Sequence, residues 1–169
     1  KKLLCQALRN EFFVKLLKEI NKPIVIADSL IEIWNSQLDT AELYPDTIDV
    51  LKTLQIRCLK LILVSNTTPI SNKAIDKLGI RKYFDYIFLS CNEGISKPSP
   101  FVYKKILNKF NLKPEEIIVV GDQMSTDIKG AETYGIKAVL IDRDDEENYK
   151  DKIAELDEIE FYLKQWETI

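Results

Sequence analysis

The chain has 169 residues, 46% hydrophobic and 30% charged, enough apolar side chain for one substantial core with a small appendage. A formal net charge of -3, with lysines scattered among acids, offers no field to gather a polyanion and argues against a nucleic-acid partner. No apolar run reaches the roughly 20 residues that cross a bilayer, and KKLLCQALRN is too short an apolar start for a secretion signal, so a cytoplasmic protein without membrane contact is expected.

Histidine is absent, which removes Ser-His-Asp and Cys-His schemes and two-histidine metal sites. Cys5, Cys58 and Cys91 are odd in number and lack CxxC spacing, so they read as reduced thiols. Catalysis must then draw on carboxylates, lysine, hydroxyls and backbone amides. The first residue is Lys1 and the single methionine is Met124, which leads us to expect a fragment or a processed chain.

In chain order, Leu4, Leu8, Phe12, Leu16 and Ile20 recur every fourth position and predict an amphipathic helix, ended by Asn21, Lys22 and Pro23. PIVIADSLIEIWNSQ fits a helical face through Ile24, Ala27, Leu30, Ile31 and Trp34, although its β-branched start also suits a strand; helix is the expectation. Pro45, Asp46 and Thr47 mark another helix start, with Ile48, Leu51 and Leu54 inward. After this, short apolar runs alternate with amphipathic stretches: LKLILVSN, ISNKAIDKLG, DYIFLS, PFVYKKILNKF, EEIIVVGD, STDIKGAETYG and KAVLID. Strands apolar on both faces and separated by helices predict a three-layer α/β fold around a parallel sheet. Gly79 and Gly135 follow helical stretches, where a left-handed cap favours glycine. The tail reads as a connection and a final helix with Ile159, Tyr162, Leu163 and Trp166 inward.

Ligands of open α/β sheets bind beyond the carboxyl ends of the strands, so polar residues where an apolar run stops are the first candidates. LILVSNTT places Ser65, Asn66 and Thr67 there, a hydroxyl and amides able either to hold an anion or merely to cap a turn. IIVVGD places Asp122 after a buried strand, and Asp127 follows; two acids at one strand mouth call for a cation or a lysine, or else are a helix cap and a solvated side chain. Lys97 precedes the Pro98-to-Pro100 helix opening and, taken singly, reads as surface.

Together, the order and spacing of these sites from about Leu43 to Arg143 resemble the haloacid dehalogenase-like (HAD) hydrolases. The resemblance lies in the strand ending at Ser65, in Lys97-Pro98-Ser99-Pro100 as a KPxP motif, and in GDQMSTD from Gly121 to Asp127 as GDxxxxD. It implies a Rossmann-like HAD core in which Ser65, with the Asn66 amide, hydrogen-bonds a phosphoryl group and Thr67 lies in the same substrate-binding loop. Lys97 would neutralise charge on nucleophile and phosphate, Asp122 would ligate magnesium (Mg2+), and Asp127 would support the metal shell or pair with Lys97. Oxygen ligands suit that hard ion, and an ion plus one lysine suit an anionic transition state.

The family's aspartate nucleophile, usually in a DxDGT-like motif ending a central strand between those that end at Ser65 and Asp122, has no recognisable copy here. One account places that strand upstream, with residues 1–41 a partial helical cap and 42–169 the core lacking its usual first strand. The other makes PIVIAD the central strand and Asp28 the nucleophile, without the second acid or the Gly-Thr turn. We adopt the first. The resemblance therefore implies a Mg2+-dependent phosphatase for a small phosphorylated substrate. A metal-independent 2-haloacid dehalogenase and an inactive binding module are the alternatives. Substrate identity and oligomeric state are not legible in the sequence.

Overall fold

The computed structural model describes residues 14–36, 41–67 and 71–166. Two compact units arise, one drawing on residues 1–43 and 62–92 and the other on 44–61 and 93–169.

In the first unit, residues 14–19 are helical and bury Leu17 against Ala27, with Val14, Leu30 and Ile31 packed around them. Leu4, Leu8 and Phe12 of the expected stripe lie outside the described residues. The expected Ile20 is 53% exposed, because the helix stops before it: Asn21 turns left-handed at φ 53° and the Lys22 N–H closes on the Leu17 carbonyl at 2.8 Å. After Pro23, a single 3-10 turn (Ile24–Ile26) feeds helix α1 (Ala27–Ser36). PIVIAD is thus helical, and Asp28 sits exposed in the first turn of α1, where the helix dipole favours an acid. This removes the account in which Asp28 ends a strand as the nucleophile. Strand β1 (Ile62–Ser65) pairs in parallel with β2 (Tyr86–Leu89), in a register running from Ile62 opposite Tyr86 to Ser65 opposite Leu89. Helix α2 lies between them in sequence (Ser71–Lys77), and Gly79 at φ 66° follows it as expected.

The second unit opens with Tyr44, Pro45 and Asp46, followed by helix α3 (Thr47–Ile56). Asp46 makes no side-chain cap bond to that helix. Instead its carboxylate accepts both Arg143 Nη2 bonds, at 3.0 and 2.8 Å, and the Leu156 N–H at 2.7 Å. The Arg143 guanidinium also lies 4.0 Å from the Tyr44 ring centroid. Burial pushes the Asp46 carboxyl up, but the Leu156 amide and Arg143 more than reverse this and hold it below the ordinary value.

Three parallel strands follow in spatial order, β3 (Ile118–Gly121), β4 (Lys137–Ile141) and β5 (Lys152–Ile153). Alternation along β4 explains the layering. Ala138 and Leu140 join Tyr103, Leu107, Ile128, Ala131 and Ile136, which belong to or adjoin helices α4 (Pro100–Phe110) and α5 (Lys129–Thr133). Val139, on the opposite face, joins Val50 of α3 and Ile159, Tyr162 and Leu163 of α6 (Ile159–Trp166). Helices therefore cover both faces of β4, the expected three-layer α/β arrangement. The tail helix buries the predicted Ile159, Tyr162 and Leu163, while Trp166 is only partly buried against them and its indole donates to the Glu115 carbonyl at 2.9 Å. Strand β5 was not expected, since two residues are too short to show alternation.

Candidate active site

Strand β3 delivers Gly121 and then Asp122, whose side chain is exposed. A single π-helical turn, Met124–Ile128, returns the chain so that Asp127 points back at the strand end. A Cβ on Gly121 would lie 2.3 Å from Asp127 Oδ2, so only glycine leaves room for this carboxylate. Asp127 is 4% exposed and is the buried charged side chain among the described residues.

Lys97 reaches the same carboxylate from the loop before α4, with Nζ 2.8 Å from Asp127 Oδ1 and side-chain exposures of 14% and 6%. Pro100 opens α4, where its fixed φ and missing N–H cost nothing. Gly130 of α5 lets this loop approach: an added Cβ would stand 3.1 Å from the Pro98 Cβ. Asp127 gains a further donor in the Gln123 N–H, 3.3 Å from Oδ2, while the Thr126 hydroxyl is shared between Gln123 Oε1 at 3.0 Å and Asp127 Oδ1 at 3.2 Å. Beneath it, the Tyr103 hydroxyl donates to the Asp127 carbonyl at 3.2 Å. Burial, and next the Asp127 charge, push the Tyr103 phenol up to about 12.

The structure thus brings Lys97 and Asp127 into contact and sets Asp122 at the mouth of the same strand. Ser65, Asn66 and Thr67 belong to the first unit, at the carboxyl end of β1 as expected. There the Ser90 hydroxyl accepts the Thr67 N–H at 2.8 Å and donates to the Thr67 carbonyl at 3.2 Å. Sequence reasoning missed Ser90 and Tyr103. Ser90 carries the signal used elsewhere, a polar residue where the apolar run DYIFLS stops. Tyr103 shares the α4 face with Ile106 and Leu107 and reads as ordinary core.

Residues 5–141 match the family described as haloacid dehalogenase-like hydrolase. The chain belongs to this family. Among curated HAD relatives, a glyceraldehyde 3-phosphate phosphatase of Pyrococcus furiosus is 40% identical over 78 residues, 46% of this chain and 32% of the relative. A phosphoserine phosphatase of Thermus thermophilus is 30% identical over 136 residues, 80% of this chain and 55% of the relative. The chain therefore spans about half of such relatives or less. A HAD-type hydrolase of Bacillus subtilis, solved with magnesium bound, superposes with a TM-score of 0.77 at 23% identity, covering 94% of this chain and 72% of that one. That likeness shows the shared HAD fold.

Proposed function

We propose that this chain carries the phosphate-binding and metal-supporting residues of a magnesium-dependent phosphatase acting on small organic phosphate esters. The observation that carries the reading is the buried Lys97–Asp127 pair with Asp122 at the end of β3. A lysine held by one carboxylate is fixed in position, where its charge can offset that of a phosphate. In the first unit, the Ser65 hydroxyl and the Asn66 amide are neutral donors of the kind a phosphoryl oxygen takes, and Thr67 continues that loop. The phosphatase names of the curated relatives support this substrate class.

The donor set also fits magnesium. Among the described residues no group of three or more acidic, histidine or cysteine side chains gathers. Magnesium needs fewer, because it keeps several waters and takes one or two carboxylates plus substrate oxygens. Asp122, exposed at the strand mouth, is the direct ligand in this reading; Asp127, held by Lys97, Thr126 and the Gln123 amide, supports the shell. The ion would polarise the phosphoryl oxygens and offset their charge.

The nucleophile in this proposal is an aspartate on a further strand, upstream of a helical cap segment formed by residues 1–41, with 42–169 as core. Two observations support it. Residues 14–36 are helical or turn, and β3 ends its sheet, with no hydrogen-bonded strand on the side away from β4 among the described residues. Protein kept in the cytoplasm would meet phosphorylated metabolites there.

The test is hydrolysis of an aryl phosphate, with and without magnesium, by the chain as given and by the chain with any preceding coding sequence restored. Turnover that needs the longer chain and magnesium and falls at least a hundredfold in Asp122→Asn agrees with the proposal. Metal-independent release of halide from a 2-haloacid, or silence toward both substrates, overturns it.

A further inference from the structure

We infer that Ser90 is the positioning residue of the anion-binding loop Ser65-Asn66-Thr67. This rests on the phosphatase reading above and adds to it a residue that no site motif contains. The β1–β2 ladder ends at the pair Ser65 and Leu89, and Ser90 follows directly as the first residue of a short helix, Ser90–Glu93. There its side chain takes over from the backbone: one hydroxyl accepts the Thr67 N–H at 2.8 Å and donates to the Thr67 carbonyl at 3.2 Å. A serine hydroxyl has a single donor, and this one spends it, with an acceptor lone pair, on the two main-chain groups of one residue.

The consequence is geometric. The Thr67 N–H belongs to the peptide joining Asn66 to Thr67, and its carbonyl to the peptide that follows. Both planes are fixed from one point. Just before them stand the Asn66 amide and the Ser65 hydroxyl, the groups assigned to the phosphoryl oxygens. A loop ordered before the ligand arrives does not lose that conformational entropy on binding, and donors aimed in advance hold an anion better than donors that must reorient. Ser90 touches no substrate in this scheme; it acts through Thr67. A turn serine without this role would affect folding stability and leave anion affinity alone.

The experiment uses the full chain with inorganic phosphate as probe, in magnesium, with affinity measured by calorimetry in the parent, Ser90→Ala and Ser90→Thr. Threonine keeps the hydroxyl and alanine removes it, while thermal unfolding reports any loss of fold. The expected result is affinity about tenfold weaker in Ser90→Ala, the cost of ordering about one loop residue on binding, and within about twofold of the parent in Ser90→Thr. Amide exchange at Thr67 should quicken in the alanine variant alone. Equal phosphate affinity in Ser90→Ala and the parent, or equal loss in both variants, overturns the positioning role while leaving the phosphatase reading standing. A parent chain that binds no phosphate overturns the reading itself and this inference with it. Should Ser90→Ala fail to fold, slow Thr67 exchange in the parent and retained affinity in Ser90→Thr carry the same decision; rapid exchange there refutes it.

Discussion

Replacing Gly121 with alanine should be among the most damaging single-methyl additions in this chain. The new Cβ would fall 2.3, 2.5 and 2.6 Å from Oδ2, Cβ and Cγ of Asp127. Ordinary contact needs about 3.5 Å or more, so Asp127 must withdraw by about 1 Å. Its own Cβ is among the atoms struck, so rotating the carboxylate does not relieve the clash and the backbone of the π turn has to move. Overpacking of this kind costs about 1–3 kcal/mol, and breaking a buried ion pair costs about 3–5 kcal/mol when one partner is lost outright. Lys97 can follow part of the movement, so the expected destabilisation is about 3 kcal/mol. With a urea slope of about 2 kcal/mol per molar, the unfolding midpoint should fall by about 1.5 M. Gly130→Ala is the comparison. Its Cβ meets Pro98 at 3.1 and 3.2 Å, a milder conflict, and alanine returns about 1 kcal/mol of helix propensity, so the net change should lie within about 1 kcal/mol of zero. A Gly121→Ala loss below about 1 kcal/mol, or a larger loss at Gly130, would refute the argument that Asp127 is locked against the end of β3.

Two further outcomes follow from titrating groups. The Asp46 carboxyl is held below its ordinary value in the folded chain, so its contribution is complete above the unfolded pKa and disappears as pH falls through the lower folded one. Asp46→Asn should therefore cost about 2 kcal/mol at pH 7 and much less at pH 3, as read by urea unfolding at both; a loss independent of pH would show that Arg143 is not held by charge. The Tyr103 phenol, raised to about 12 by burial and the Asp127 charge, favours the neutral folded form, so stability is complete below about pH 10 and declines toward 12. Tyr103→Phe should lose about 1 kcal/mol at pH 8 with the Asp127 carbonyl bond and show less decline at pH 11; equal decline in both chains would assign the alkaline sensitivity elsewhere.

How much of this was legible depended on whether a feature is local. The helix opening at Pro45, the strands ending at Ser65 and Gly121, and the left-handed glycines at 79 and 135 all follow from neighbours in sequence. The β-branched start at Ile24 runs into the helix whose Ala27, Leu30 and Ile31 meet Leu17 from one face, while Ile24, Val25 and Ile26 themselves stay exposed. At the site, Ser65 and Asp122 were visible as polar breaks after apolar runs, and the pairing of Lys97 with Asp127 was one of the two roles for Asp127 that the family resemblance implied. What sequence could not supply was the third dimension of the same regions. Asp46 reads as a helix cap, but its partner Arg143 is 97 residues away. Tyr103 reads as core until its hydroxyl is seen to meet the Asp127 carbonyl. Ser90 gains its meaning only when the register sets it beside Thr67.

The uncovered side of β3 has a bearing on how the polypeptide behaves before any chemistry takes place. Ile118, Val119 and Val120 form a β-branched run with no neighbouring strand of their sheet, among the described residues, on the side away from β4. Such an edge is a template for any extended segment of similar character, including another copy of itself, and no proline or inward charge interrupts it. Solubility of this polypeptide is therefore tied to how quickly that edge is closed. Concentration, temperature and the presence of a complementary strand during synthesis should govern its yield more strongly than the packing of the well-covered β4.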